Sequence, residues 1–266
     1  MHPPNGAKPA RVIALANQKG GVGKTTTAIN LAAALGELGN RVLILDCDPQ
    51  GNASTGLGLD PEARKVSTYD LLIGDAGIQI APLETGVPGV EAVPASTDLS
   101  SVDLDLAAAP DRVRRLAARL SNISGTRDFV LIDCPPALGL LTLNALVAAD
   151  SVLVPLQSEF YALEGLSQLL LTIRQVRSSA NPNLRIEGVV LTMFDGRNNL
   201  AQQVERDARD HLGDLVFQTV VPRNVRVSEA PSFALPVLLY DPQSKGSLAY
   251  RDLAKELLHR LEKVPA

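Results

Sequence analysis

Residues 12–26 read Val-Ile-Ala-Leu-Ala-Asn-Gln-Lys-Gly-Gly-Val-Gly-Lys-Thr-Thr. The apolar run Val12 to Ala16 predicts a strand. Glycines at 20, 21 and 23 make the turn that follows, and a helix is expected to open at Lys24. Such a turn leaves its backbone N–H groups pointing inward, and the helix brings the positive end of its dipole to the same place. The expected product is a cradle for phosphate formed by Gly20, Gly21, Val22, Gly23 and Lys24. There the Lys24 ammonium reaches phosphate oxygens and the Thr25 and Thr26 hydroxyls lie alongside, Thr25 as a Mg²⁺ ligand.

The common form of this loop is G-x-x-x-x-G-K-[ST], with glycine where this chain has Gln18. The next residue is a second lysine, Lys19. A lysine taken at random is a solvated surface group, but one inside K-G-G-V-G-K-T-T needs another reason. The stretch resembles the deviant Walker A motif of the ParA/MinD class of P-loop ATPases. That resemblance implies that Lys19 reaches across a dimer interface to the nucleotide of a second subunit. The cation would then arrive on the phosphates only on assembly, as an arginine finger supplied in trans does, which makes ATP binding and dimerisation one linked equilibrium.

Two further stretches fit the same site. Leu43-Ile44-Leu45-Asp46-Cys47-Asp48-Pro49-Gln50-Gly51 ends an apolar run in two carboxylates and a turn, and ligands of open α/β sheets sit beyond the carboxyl ends of strands. It resembles the A-prime motif of the ParA-type enzymes, which implies that Asp48 orients or activates the attacking water and that Asp46 lies near the Mg²⁺ shell. Phe129-Val130-Leu131-Ile132-Asp133-Cys134-Pro135-Pro136 reads as a Walker B strand end, with Asp133 holding Mg²⁺ through water.

Around these motifs, apolar runs alternate with helical segments. Strands are expected at Arg11–Ala16, Arg41–Leu45, Gly89–Val93, Phe129–Ile132, Ser151–Pro155, Ile186–Met193 and Leu215–Val221. Helices are expected at Lys24–Leu38, Pro110–Ser121, Thr142–Ala148, Leu163–Ser178, Leu200–Leu212 and Ser247–Glu262. The strands are continuously apolar rather than alternating, as in a parallel sheet covered on both faces. The fold class is therefore α/β, a doubly wound, mainly parallel sheet flanked by helices, the P-loop NTPase fold. Residues 11–266 read as one ATPase domain, with a less regular excursion at Asp60–Asp105 and a flexible tail over residues 1–10.

Of 266 residues, 45% are hydrophobic and 3% aromatic, so the core is expected to be aliphatic. Two cysteines exclude a disulfide framework. No apolar run is long enough to span a membrane, and the first ten residues lack an apolar signal core; a cytoplasmic protein is expected. The net charge of −4 argues against coating DNA by bulk charge. From Arg174 onward, however, 13 Lys+Arg face 11 Asp+Glu, a local +2 against −6 for the rest. Any nucleic-acid contact would be a patch in the C-terminal third.

Leu140-Leu141-Thr142-Leu143-Asn144-Ala145-Leu146, Glu159-Phe160-Tyr161-Ala162-Leu163-Glu164-Gly165 and Val221-Pro222-Arg223-Asn224-Val225-Arg226-Val227-Ser228-Glu229-Ala230-Pro231-Ser232 resemble the chromosomal ParA/Soj branch. The resemblance runs from about residue 11 to the end. It implies an ATP- and Mg²⁺-dependent ATPase that forms a sandwich homodimer, binds double-stranded DNA without sequence preference and is stimulated by a ParB-type partner. Its role would be chromosome or plasmid segregation, with the ATP-bound state on the nucleoid. Carried over residue by residue, it implies DNA contacts by Arg197 and Arg226 and an adenine-facing loop at Pro222 and Asn224. A membrane-cycling ATPase of the MinD type shares the motifs. Its basic amphipathic tail, however, is not matched by residues 253–266, where acidic residues interleave and no aromatic anchor appears, so no stable membrane association is expected. An iron–sulfur protein of the nitrogenase type would need cluster-ligating cysteines, and Cys47 and Cys134 sit inside the nucleotide motifs instead. A nucleotide-switched scaffold with negligible turnover is the third alternative.

Overall fold

The computed structural model describes residues 9–263 apart from 75, 80, 122, 124–126, 160 and 161. The tail expected at residues 1–10 lies almost wholly outside these, as do Phe160 and Tyr161. β1 (Arg11–Leu15) leads through the glycine turn into α1 (Lys24–Glu37) and β2 (Val42–Asp46). Then come α2 (Asn52–Gly56), α3 (Thr68–Ile73), β3 (Leu83–Glu84), β4 (Val90–Val93), α4 (Val102–Asp105) and α5 (Arg115–Leu120). β5 (Phe129–Asp133), α6 (Leu140–Ala148), β6 (Ser151–Gln157), α7 (Ala162–Ser179), β7 (Arg185–Thr192) and α8 (Asn199–Leu212) follow. The chain closes with α9 (Val225–Glu229), α10 (Val237–Tyr240) and α11 (Lys245–Lys263).

These strands make one sheet in the order β3-β4-β2-β5-β1-β6-β7, parallel throughout except for β3, which pairs antiparallel with β4 at the edge. The continuous apolar runs have a simple cause. Successive side chains of a strand point to opposite faces, and both faces are covered. Val12 and Ala14 enter one core layer with Leu43, Leu45, Val130 and Ile132, whereas Ile13 and Leu15 enter the other with Ile44, Phe129 and Leu131. The second layer is closed by α1 and α11, where Leu31 and Leu35 meet Tyr250, Leu253 and Leu257. The apolar stripe of α11 is thus spent on the sheet rather than left for lipid.

Three expectations need correction. Residues 215–221 are not a strand: beside β7 they make one isolated bridge, Val189 to Val216, and two separate backbone hydrogen bonds, Phe217 N–H to the Val189 carbonyl at 2.9 Å and Val221 N–H to the Leu191 carbonyl at 2.8 Å. Side chains take other backbone hydrogen bonds of the segment. Arg260 donates to the Asp214 and Val216 carbonyls at 2.9 and 3.0 Å, Arg209 donates to the Phe217 carbonyl at 3.2 Å, and the Glu256 carboxylate accepts from the Gln218 and Thr219 N–H groups, each at 2.8 Å. Second, α5 begins at Arg115, not Pro110. The Asn144 side chain holds the turn before it, donating to the Arg112 carbonyl (2.8 Å) and accepting from the Leu116 N–H (3.2 Å). Third, the excursion at 60–105 is not all irregular: it holds α3, the short β3 and α4 besides the expected strand, seen as β4.

One approach in this fold is unusually close. A Cβ built on Gly36 of α1 would lie 2.4 Å from the Pro88 carbonyl oxygen, so α1 sits flush against the loop entering β4 only because residue 36 has no side chain.

Candidate active site

The sheet topology places the ends of β2, β5 and β1 side by side. Asp46 and Asp133 are directly paired across β2 and β5, and Leu15 is paired with Asp133 across β1 and β5. The glycine loop therefore leaves β1 beside both aspartates. Gly21 and Gly23 sit at φ 74° and 86°, the left-handed region in which only glycine is unstrained. They turn the chain sharply enough to start α1 at Lys24, with Gly23 as its N-cap. Beneath the loop Val22 is buried, and its carbonyl accepts from the Thr192 hydroxyl at 2.8 Å, fixing the loop to the end of β7.

A cleft of about 730 Å³ opens above it. Gly20, Gly21, Gly23, Lys24, Thr25 and Thr26 line it together with Asp48, Pro222 and Asn224. The structure thus gathers the expected phosphate cradle, the expected water-directing aspartate and the expected base-facing loop into one cavity. Lys24 is buried, with its ammonium donating to the Lys19 carbonyl at 3.1 Å. Burial lowers its pKa, and the charges of Asp133 and Asp48 pull it back up.

The three aspartates differ sharply. Asp133 is completely buried and neither carboxylate oxygen has a hydrogen-bond partner. Burial and the neighbouring Asp46 push its pKa well up, against the pull of the Thr25 hydroxyl and Lys24. A buried, unpartnered carboxylate is costly unless a cation or donor completes it, so the donor set at Asp133 and Thr25 fits Mg²⁺. Asp46 is equally buried but already engaged by protein donors: Oδ2 accepts from the Ser54 N–H (2.8 Å) and hydroxyl (2.6 Å), and Oδ1 from the Asp48 N–H (3.2 Å). Asp48 faces the cleft, and its Oδ1 accepts from the Gln50 N–H at 3.0 Å. Cys47 and Cys134 are buried free thiols whose pKa values burial drives up, which keeps them protonated.

Lys19 is found outside the cleft lining. Its ammonium is 2.6 Å from Glu159 Oε2, and the other Glu159 oxygen accepts a short hydrogen bond from Gln157 Nε2. Asn17 steers the loop here, accepting from the Lys19 N–H (3.0 Å) and donating to the Pro155 carbonyl (2.7 Å). The two arginines are also on the surface. Arg197 follows β7 and forms a forked pair with Asp195 at 3.0 and 3.1 Å, which holds the Asp195 carboxyl down at about 2. Arg226, in the first turn of α9, lies 2.9 Å from Glu229 and 3.3 Å from Asp241.

Sequence reasoning missed three participants. Glu159 is the counter-ion of Lys19, and its role has no local signature. Ser54 braces Asp46 from a helix that the motif does not contain. Met193 lines the cleft with φ 50°, a strained angle for a residue with a side chain, and such strain leaves no trace in composition.

A family model described as an AAA domain matches residues 10–186. The chain is 56% identical to the chromosome partitioning protein ParA of Caulobacter vibrioides over 96% of both chains. It is 52% identical to the chromosome-partitioning ATPase Soj of Thermus thermophilus over 95% of this chain and 97% of that one. Among solved structures, a cobyrinic acid a,c-diamide synthase from Mycobacterium smegmatis with a bound ATP analogue and magnesium superposes with a TM-score of 0.84 at 39% identity, covering 96% of each chain. On these grounds, with the glycine cradle, Lys24 and the paired strand-end aspartates in place, the chain belongs to the ParA/Soj family of chromosome-partitioning ATPases.

Proposed function

We propose that this chain is a nucleotide-driven DNA-partitioning switch of the cytoplasm: ATP with Mg²⁺ occupies the cleft, the loaded chain pairs with a second copy, and the pair holds double-stranded DNA without sequence preference. Hydrolysis, stimulated by a ParB-type partner, ends that state. The observation that carries this reading is the convergence of the cradle, Lys24 and Asp48 on one cavity, with the buried Asp133 at the adjoining end of β5. Backbone N–H groups of residues 20–24 and the Lys24 ammonium bind phosphate oxygens, and Asp133 with the Thr25 hydroxyl holds the metal. Bound Mg²⁺ neutralises charge on the phosphates. Asp48 accepts a hydrogen bond from the attacking water and orients it, while Pro222 and Asn224 face the base. Lys19 leaves Glu159 and crosses to the partner's phosphates, supplying positive charge that the single chain lacks at that point. Arg197 and Arg226 contact DNA phosphates, which require exposed cations rather than base-reading geometry. The segregated molecule is a chromosome or a plasmid.

The decisive experiment compares DNA retention and sedimentation with ATP, ADP or no nucleotide, for the native chain and for Lys19→Ala. Dimers and DNA retention are expected with ATP alone, and Lys19→Ala should keep ATP binding while losing both. DNA retention independent of nucleotide overturns the switch. ATP-dependent capture on anionic vesicles in place of DNA favours the membrane-cycling alternative.

A further inference from the structure

The segment carrying Asp48 is fastened at both ends by one side chain. Asp46 ends β2; its Oδ1 accepts from the Asp48 N–H at 3.2 Å, and its Oδ2 accepts from the Ser54 N–H at 2.8 Å and the Ser54 hydroxyl at 2.6 Å. Helix α2 begins after Gly51, which has φ 62° and offers no side-chain cap. The third N–H of a helix needs an acceptor. For Ser54 that acceptor is the carboxylate from eight residues upstream, so the aspartate serves as the missing cap.

The Ser54 hydroxyl has a second task. While donating to Asp46 it accepts from the Ala95 N–H at 3.0 Å, tying the same carboxylate to the loop that follows β4. Thr68 adds a parallel tie, its hydroxyl donating to the Asp46 carbonyl at 2.7 Å and its N–H to the Pro94 carbonyl at 2.8 Å. Ser54 and Asp46 are 0% and 1% exposed, and a fully satisfied buried polar network is stiff. Asp133, the neighbour of Asp46 across the sheet, shows the contrast: neither of its carboxylate oxygens is braced by a hydrogen bond.

We infer that Ser54 is a positioning residue for hydrolysis: through Asp46 it holds the 47–51 segment so that the Asp48 carboxylate stays aimed into the cleft. Asp46 is in this arrangement a brace, and metal binding falls to Asp133 and Thr25. The inference rests on the assignment of Asp48 made above. Removing the hydroxyl leaves Ala95 N–H without its acceptor and Asp46 Oδ2 with one donor instead of two, and the segment loosens without any change in the phosphate cradle.

The test is single-turnover ATP hydrolysis with a fluorescent-nucleotide titration for Ser54→Ala, Ser54→Thr and Ser54→Cys, and for Ser54→Ala in an Asp48→Ala background. Ser54→Ala should cut the hydrolysis rate about 10- to 100-fold, the range for lost supporting contacts and ångström-scale misplacement, with nucleotide affinity within about twofold of native by the same reasoning. Ser54→Thr, which restores the hydroxyl, should recover most of the rate. Ser54→Cys keeps the volume with a weaker donor; it should be impaired and supplies the comparison if Ser54→Ala folds poorly. On the Asp48→Ala background, Ser54→Ala should change the residual rate little. Native-like hydrolysis by both Ser54→Ala and Ser54→Cys, or equal loss of affinity and rate, overturns the inference. If Asp48→Ala itself hydrolyses like the native chain, the assignment of Asp48 fails. If Asp48→Ala is inactive while Ser54→Ala is native-like, only the brace fails.

Discussion

Replacing Glu159 by glutamine should tighten the ATP-dependent dimer. In the single chain Lys19 is held at 2.6 Å by Glu159, and the two side chains are 38% and 47% exposed. Ion pairs of such exposure are worth about 0.2–1 kcal/mol in water, because solvent screens them and side-chain entropy opposes them. Glu159 is already oriented by Gln157, which cuts the entropy cost and places the pair in the upper half, about 0.5–1 kcal/mol. Each chain must release its lysine, so a dimer forfeits about 1–2 kcal/mol. At about 1.4 kcal/mol per decade, removing the charge should strengthen dimerisation about 5- to 30-fold. The measurement is sedimentation velocity across a protein dilution series with ATP, in an Asp48→Ala background to suppress turnover. Raising salt should shrink the difference, since screening weakens the pair in the native chain. A Glu159→Gln dimer as weak as the native one, or weaker, refutes the reasoning: Glu159 would then not restrain Lys19, or would itself be needed in the dimer.

Lys24→Ala should weaken binding of a fluorescent ATP analogue by about 10- to 100-fold, the value of one or two charge-assisted hydrogen bonds, with unchanged circular dichroism. Arg226→Glu should abolish DNA retention on filters yet leave ATP-dependent dimers intact; loss of both points to misfolding instead. Gly36→Ala gains helix propensity but drives a methyl to within 2.4 Å of the Pro88 carbonyl oxygen; overpacking costs about 1–3 kcal/mol and should win, lowering the thermal midpoint. Asp128 is held below its ordinary 3.8 by hydrogen bonds from the Arg41 side chain and N–H. Its contribution is present above the unfolded value and lost as pH falls through the lowered folded one. The stability gap between native and Asp128→Asn should therefore be open at pH 7 and close as the pH drops below about 4.

Most of the parallel sheet was legible because both faces are buried, and a continuously apolar strand leaves a plain trace in sequence. Three motifs located the cleft because strand ends, glycine turns and carboxylates have fixed chemical jobs there. What stayed hidden was long-range. Nothing local says that Glu256, Arg209 and Arg260 satisfy the backbone of residues 214–219, so an apolar run that looked like a strand is not one. The shortening of α5 depends on Asn144, a residue from another helix. Likewise the sequence ends both strands in an aspartate, and only the fold shows that Ser54 and the Asp48 N–H brace Asp46 while the Asp133 carboxylate is left without a hydrogen bond.

The first strand of the chain occupies the middle of the sheet. Its partners are β5 and β6, with Arg11 opposite Phe129 and Ile13 opposite Ser151. A nascent chain emerging from the ribosome therefore carries β1 unpaired until β5, residues 129–133, has been made. Such high contact order slows closure and leaves apolar edges exposed meanwhile. The phosphate loop hangs from this same late-docking strand, so nucleotide cannot favour the growing chain early. Its stabilising effect by mass action begins only once β6 has been synthesised and β1 is locked between its neighbours.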